Sequence, residues 1–123
     1  MIDNEQVTIL HNPRCSKSRA TLQLLRERGV EPIVIEYLEH PPSAEELASI
    51  LDRLGLEPRQ LMRRQEAEYL EQGLDSPELD RAALIAAMVQ HPKLIERPIV
   101  LSQGKAMLGR PPERVLELFP DAP

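Results

Sequence analysis

The chain of 123 residues has the length of one compact domain, so a single domain over residues 1–123 is expected and a multi-domain organisation is not. Hydrophobic residues supply 41% of it but aromatics only 2%, namely Tyr37, Tyr69 and Phe119, so the core has to be built from aliphatic side chains. The 15 basic and 20 acidic residues leave a net charge of −5, which argues against nonspecific binding to nucleic acid or an anionic membrane, because both reward positive charge.

The opening segment, MIDNEQ, is acidic and polar and does not read as a secretory signal, and no apolar run approaches the ~20 residues of a membrane span. A cytoplasmic location is the expectation. Residues 7–10 (VTIL) form a short β-rich run that ends at the turn-forming His11-Asn12-Pro13. Helix formers dominate 16–28, with Leu22 and Leu25 on one face and Gly29 fitting the position just past a helix end. Residues 32–37 (PIVIEY) predict a second strand, whose contiguous Ile33, Val34 and Ile35 suggest burial on both faces. The succession is a βαβ unit with parallel strands.

Ser43-Ala44-Glu45-Glu46 then matches a capping box, followed by Leu47, Ile50, Leu51 and Leu54 at helical spacing and closed by Gly55. Three short helices are expected next: 58–64, 66–72 stopped by Gly73, and one starting in the Ser76-Pro77 region and carrying Leu84, Ile85 and Met88 to His91-Pro92. The period then changes. Residues 98–101 (PIVL) predict a strand, 102–105 a turn, and 106–108 its hairpin partner. Pro111 and Pro112 open a terminal helix with Val115, Leu118 and Phe119 facing inward, stopped by Pro120. The order is βαβ, a helical insert, then ββα, an α/β fold with a mixed four-stranded sheet.

This reading puts the one cysteine, Cys15, at the carboxyl end of a strand and the amino end of a helix, where open α/β sheets place their sites. Unpaired N–H groups and the positive end of the helix dipole both favour a thiolate there. From His11 to Arg26 there are four basic residues (Arg14, Lys17, Arg19, Arg26) and no acidic one, while six acids cluster between Glu66 and Asp80. His11 is a candidate for tuning the thiolate. His40 and His91 precede prolines and read as structural, and no His or Cys pair has metal-ligand spacing, so no metal site is expected. Spacing excludes two chemistries. A tyrosine-phosphatase-like loop needs Arg six positions after Cys15, where Thr21 stands, and a dithiol motif needs Cys where Ser18 stands. Cys15 therefore cannot resolve its own covalent adduct, and a second thiol has to come from another molecule.

His11-Asn12-Pro13-Arg14-Cys15-Ser16-Lys17-Ser18-Arg19, Leu61-Met62-Arg63-Arg64, His91-Pro92, Arg97-Pro98-Ile99-Val100 and the later Gly109-Arg110-Pro111 together resemble the ArsC-type arsenate reductase family, which is coupled to glutathione and glutaredoxin. The likeness runs in order from Val7 to about Leu118. It implies a thioredoxin-like fold, a cis Arg97-Pro98 bond, Cys15 as the catalytic nucleophile and Arg63, Arg97 and Arg110 as oxyanion-binding residues, with His11, Asn12 and Ser18 in support. Guanidinium forks suit a tetrahedral, multiply charged oxyanion, to which they give bidentate charge-assisted hydrogen bonds. The implied reaction is reduction of arsenate to arsenite, with glutathione as co-substrate, glutaredoxin as partner and no tightly bound cofactor. Two alternatives stand beside it: another glutathione-linked thiol oxidoreductase using the same cysteine, and a non-catalytic Spx-like regulator, whose usual dithiol switch Ser18 denies.

Overall fold

The structure, a computed structural model, describes residues 6–119. They form two compact units, one built from residues 6–40 and 97–119 and the other from Pro41–Glu96. The first contains the sheet. Strands β1 (Val7–His11), β2 (Ile33–Glu36), β3 (Ile99–Ser102) and β4 (Lys105–Leu108) lie in the order β2-β1-β3-β4. β1 is parallel to β2 and antiparallel to β3, and β3 is antiparallel to β4, so the sheet is mixed, as expected.

Alternation along β1 divides its side chains between the two faces. Val7 and Ile9 join Val100, which pairs with Ile9 across the sheet, in a core with Leu25, Val115 and Leu118. Leu25 comes from helix α1 (Ser16–Glu27), and Leu22 and Leu24 pack at its margin. This core is aliphatic, with Phe119 only partly buried against it. The same alternation turns His11 towards the Val7 and Ile9 face, which α1 covers.

The β3–β4 connection is a two-residue turn with φ of 50° at Gln103 and 76° at Gly104. Positive φ at both central residues is the type I′ geometry whose twist suits a hairpin, and Gly104 supplies one of the two at no steric cost.

The second unit is helical, as expected: α2 (Ala44–Leu54), α3 (Pro58–Leu61), α4 (Ala67–Glu71) and α5 (Arg81–Gln90), then a 3-10 turn at Pro92–Leu94. The capping box is formed in full, with Glu46 N–H donating to Ser43 Oγ at 3.1 Å and Ser43 N–H to Glu46 Oε1 at 2.9 Å. Such a cap contributes about 1 kcal/mol. Leu47, Ile50 and Leu51 form the buried face of α2, Leu84, Ile85 and Met88 that of α5, and the two helices pack together. Among the described residues no helix is long and apolar enough to cross a membrane.

Four expectations are corrected. β2 is not buried on both faces: it is an edge strand, with β1 its one strand neighbour among the described residues, and Ile33 is 43% exposed and Val34 37%. α5 begins after Asp80, not near Ser76-Pro77, because the Asp80 carboxylate accepts the Ala83 N–H at 2.9 Å and caps the helix there. α3 ends at Leu61 because Met62 is extended and bridges Ile95. The segment Pro112–Leu118 is a 3-10 helix, with Val115 and Leu118 buried. Pro120, expected to stop it, lies outside the described residues.

Candidate active site

The strand β1 ends at His11, and the chain turns through Asn12, Pro13 and Arg14 before α1 starts. Cys15 is the N-cap residue of α1, in extended backbone, and is 9% exposed. Its N–H donates to the Asn12 carbonyl at 3.0 Å, and its own carbonyl accepts the Arg19 N–H at 3.0 Å, the first bond of the helix. The turn is braced from inside. Asn12 Oδ1 accepts the Arg14 N–H at 3.0 Å, and Ser18 Oγ accepts the Asn12 N–H at 3.0 Å while lying 2.6 Å from His11 Nδ1.

Burial lowers the His11 pKa below that of an ordinary histidine, and the Arg26 and Arg19 charges add to this, against the opposing pull of Glu36 on β2. The ring is therefore biased towards neutrality. With its proton on Nε2, Nδ1 accepts the Ser18 hydroxyl, and Ser18 Oγ is left to accept from Asn12. This assignment gives every one of the three groups a partner, as fully buried Ser18 requires.

Burial pushes the Cys15 thiol up, but the opposing interactions win and its pKa lies below that of an ordinary thiol. The Ser18 backbone N–H is the largest of these, followed by the Arg97 charge, the Lys17 backbone N–H and a hydrogen bond from the Arg97 side chain. The unpaired N–H groups of a helix start thus face the sulfur, with a guanidinium beside it. A partly buried thiolate in such surroundings is a nucleophile.

Arg97 precedes β3 by two residues, and Arg110 follows β4 by two residues. Arg110 Nη1 donates to the Arg97 carbonyl at 3.2 Å, and Gly109 N–H donates to the Pro98 carbonyl at 3.0 Å, so hydrogen bonding continues past the ends of the hairpin strands. The Arg97-Pro98 bond is cis, as the family resemblance implied, and Arg110-Pro111 is cis as well, which nothing in the sequence reading had singled out.

The structure therefore gathers Cys15, His11, Asn12, Ser18, Arg97 and Arg110 in the first unit. Arg63 belongs to the second. There its guanidinium is ion-paired with Glu66 at 2.5 Å and with Glu96 at 3.7 Å, and its backbone N–H donates to the Leu94 carbonyl at 2.7 Å. Sequence reasoning missed those two carboxylates as Arg63 partners. Glu66 at i+3 was a readable signal, whereas the Glu96 pairing depends on the bridge between Met62 and Ile95.

The bracing network generates two expectations. Ser18→Ala leaves the Asn12 N–H and His11 Nδ1 without their partner in a buried place and should lower unfolding free energy by about 1–3 kcal/mol in urea titrations. An unchanged midpoint would mean the network is not formed. Below pH about 6.5 the unfolded chain takes up a proton at His11 more readily than the folded one, so His11 should contribute a loss of stability as pH falls through that value. His11→Gln should flatten the stability difference measured between about pH 7.5 and 5.5, and an identical slope in both proteins would remove His11 as its source.

The ArsC family model matches residues 10–118. An uncharacterized protein of Escherichia coli strain K12, YfgD, is 56% identical, over 93% of this chain and 97% of its own length. An arsenate reductase of Neisseria meningitidis serogroup B is 52% identical, over 89% of this chain and 95% of its own. Among solved structures, an arsenate reductase from Vibrio cholerae aligns with a TM-score of 0.91 at 53% identity, covering 95% of this chain and 100% of its own. The sheet order and this superposition agree with the thioredoxin-like α/β fold that the sequence motifs implied. With a family match running almost from end to end, and relatives more than half identical over nearly their whole lengths, the chain belongs to the ArsC family.

Proposed function

We propose that this protein reduces arsenate to arsenite, with Cys15 as the nucleophile. The observation that carries the reading is the Cys15 sulfur itself: a thiol at a helix start with Arg97 against it, its pKa lowered despite burial. The names of the Neisseria and Vibrio relatives point to the same reaction.

Cys15 thiolate attacks the arsenic of arsenate, a bond from sulfur to As(V) forms, and an arsenic–oxygen bond breaks with loss of water. Charge on the oxyanion builds during attack. The Arg97 and Arg110 guanidinium groups and the N–H groups at the start of α1 meet it with donors that are already oriented, which is where electrostatic preorganisation lowers a barrier most. Arg63, whose place after Leu61-Met62 matches the third arginine of the family motif, stands in the second unit, where Glu66 and Glu96 hold its guanidinium.

The chain has one cysteine, so both electrons that convert As(V) to As(III) come from outside it. In the proposed cycle glutathione attacks the Cys15 adduct and glutaredoxin removes the glutathione. In net terms, one arsenate and two thiols give one arsenite, one disulfide and one water, and Cys15 returns as the thiolate. Cytoplasmic action fits that supply of reduced thiols.

The test is arsenate-dependent NADPH oxidation in the presence of glutathione, glutathione reductase and glutaredoxin. Wild-type protein should support turnover and Cys15→Ser should reduce it to background. Equal rates from the two, or none from wild type, would remove the assignment. Turnover that persists without glutaredoxin, or that requires a different dithiol protein in its place, would correct the reductant alone.

A further inference from the structure

Gly109, between β4 and Arg110, is a position where backbone packs directly on its neighbours. Its φ is outside the left-handed region, so conformational freedom does not explain a glycine here. Space does. A Cβ at 109 would lie 2.5 Å from Thr21 Oγ1, 2.8 Å from Pro98 Cγ and 3.1 Å from Thr21 Cγ2. Optimal separations between carbon atoms are about 3.5–4.0 Å, so all three approaches are too close.

None of these atoms ends a flexible side chain. Thr21 is fully buried on α1, and its hydroxyl donates to the Lys17 carbonyl at 2.8 Å, which fixes its rotamer. Pro98 is a ring, and its carbonyl accepts the Gly109 N–H at 3.0 Å. Added bulk would therefore have to move an element rather than a side-chain tip. Each element that meets at Gly109 carries a piece of the site. α1 carries Cys15 at its cap and the N–H groups of Lys17 and Ser18 that face the sulfur. Pro98 follows Arg97, and Arg110, next to Gly109, holds the Arg97 carbonyl.

We propose that Gly109, closed against Thr21 and Pro98, is a positioning residue that sets the spacing between the helix start bearing Cys15 and the Arg97–Arg110 pair. Thr21 is its counterpart on α1. The inference rests on Cys15 as the reacting thiol of the proposed function, but not on the identity of the oxyanion, so it is tested without arsenate.

The experiment is alkylation of Cys15 by iodoacetamide as a function of pH, on the full chain, for wild type, Gly109→Ala and Gly109→Ala combined with Thr21→Ala. Gly109→Ala should move the alkylation midpoint upward, with the rate below the midpoint falling about tenfold for each unit of the shift. The double variant removes two of the three close approaches and should return the midpoint towards that of wild type. A clash that affected only packing would lower thermal stability without moving the midpoint. A folded Gly109→Ala with the wild-type profile overturns the proposal, as does a double variant no nearer to wild type than the single one, whether through an unmoved midpoint or failure to fold. If Gly109→Ala alone does not fold, a folded double variant with a low midpoint supports the proposal, and one with an ordinary thiol midpoint overturns it.

Discussion

A thiolate beneath the surface of a protein is costly unless something faces it, and the arrangement around Cys15 is best understood as the answer to that cost. Burial alone would raise the thiol's pKa. What reverses the sign is local and directional: two backbone N–H groups in the first turn of α1 and one guanidinium from the segment before β3. Removing the helix start would leave a single arginine against the desolvation. Removing the arginine would leave only partial charges. The site needs both, and they come from parts of the chain about eighty residues apart, which is why a sheet has to bring them together.

The sheet does so through register. β1 lies in the middle, between its parallel partner β2 and its antiparallel partner β3, so the carboxyl end of β1 and the amino end of β3 share one edge. Cys15 follows β1 and Arg97 precedes β3 at that edge. The tight turn at Gln103 and Gly104 then sends β4 back beside β3, so that its far end brings Gly109 and Arg110 to the Arg97-Pro98 segment. The aliphatic core of Val7, Ile9, Leu25 and Val100 holds α1 on the sheet, and with it the N–H groups that face the sulfur. His11, Ser18 and Asn12 fix the loop between strand and helix by hydrogen bonds rather than by apolar packing, so the turn that leads to Cys15 is braced by polar groups.

Much of this was legible in the sequence because the signals were local. The Ser43 and Glu46 capping box, the hairpin turn and the strand–turn–helix around Cys15 each depend on residues within a few positions of one another. Cys15 among basic neighbours was readable for the same reason. The failures share the opposite cause. Ile33-Val34-Ile35 has the composition of a central strand, but edge or centre is decided by which strand lies alongside, and that is a tertiary fact. Asp80 outcompeted Ser76 as a helix cap although both residue types can serve, and the choice fell to where α5 packs on α2. Gly109 carried no turn signal that would set it apart, since its constraint comes from Thr21, far away in the chain. In the sequence Ser18 marks the absence of a second thiol and, through the family resemblance, a supporting residue, while its buried hydroxyl between Asn12 and His11 is visible only in three dimensions.

The central claim, that opposing interactions outweigh burial and lower the Cys15 pKa, is tested most directly by titrating the ultraviolet absorbance of its thiolate in wild type and in Arg97→Met. The account predicts a wild-type midpoint below the ~8.5 of a free thiol and a higher one in the variant, since the guanidinium is gone while the burial remains. A wild-type midpoint at or above the free-thiol value, or the same midpoint in both proteins, would contradict it.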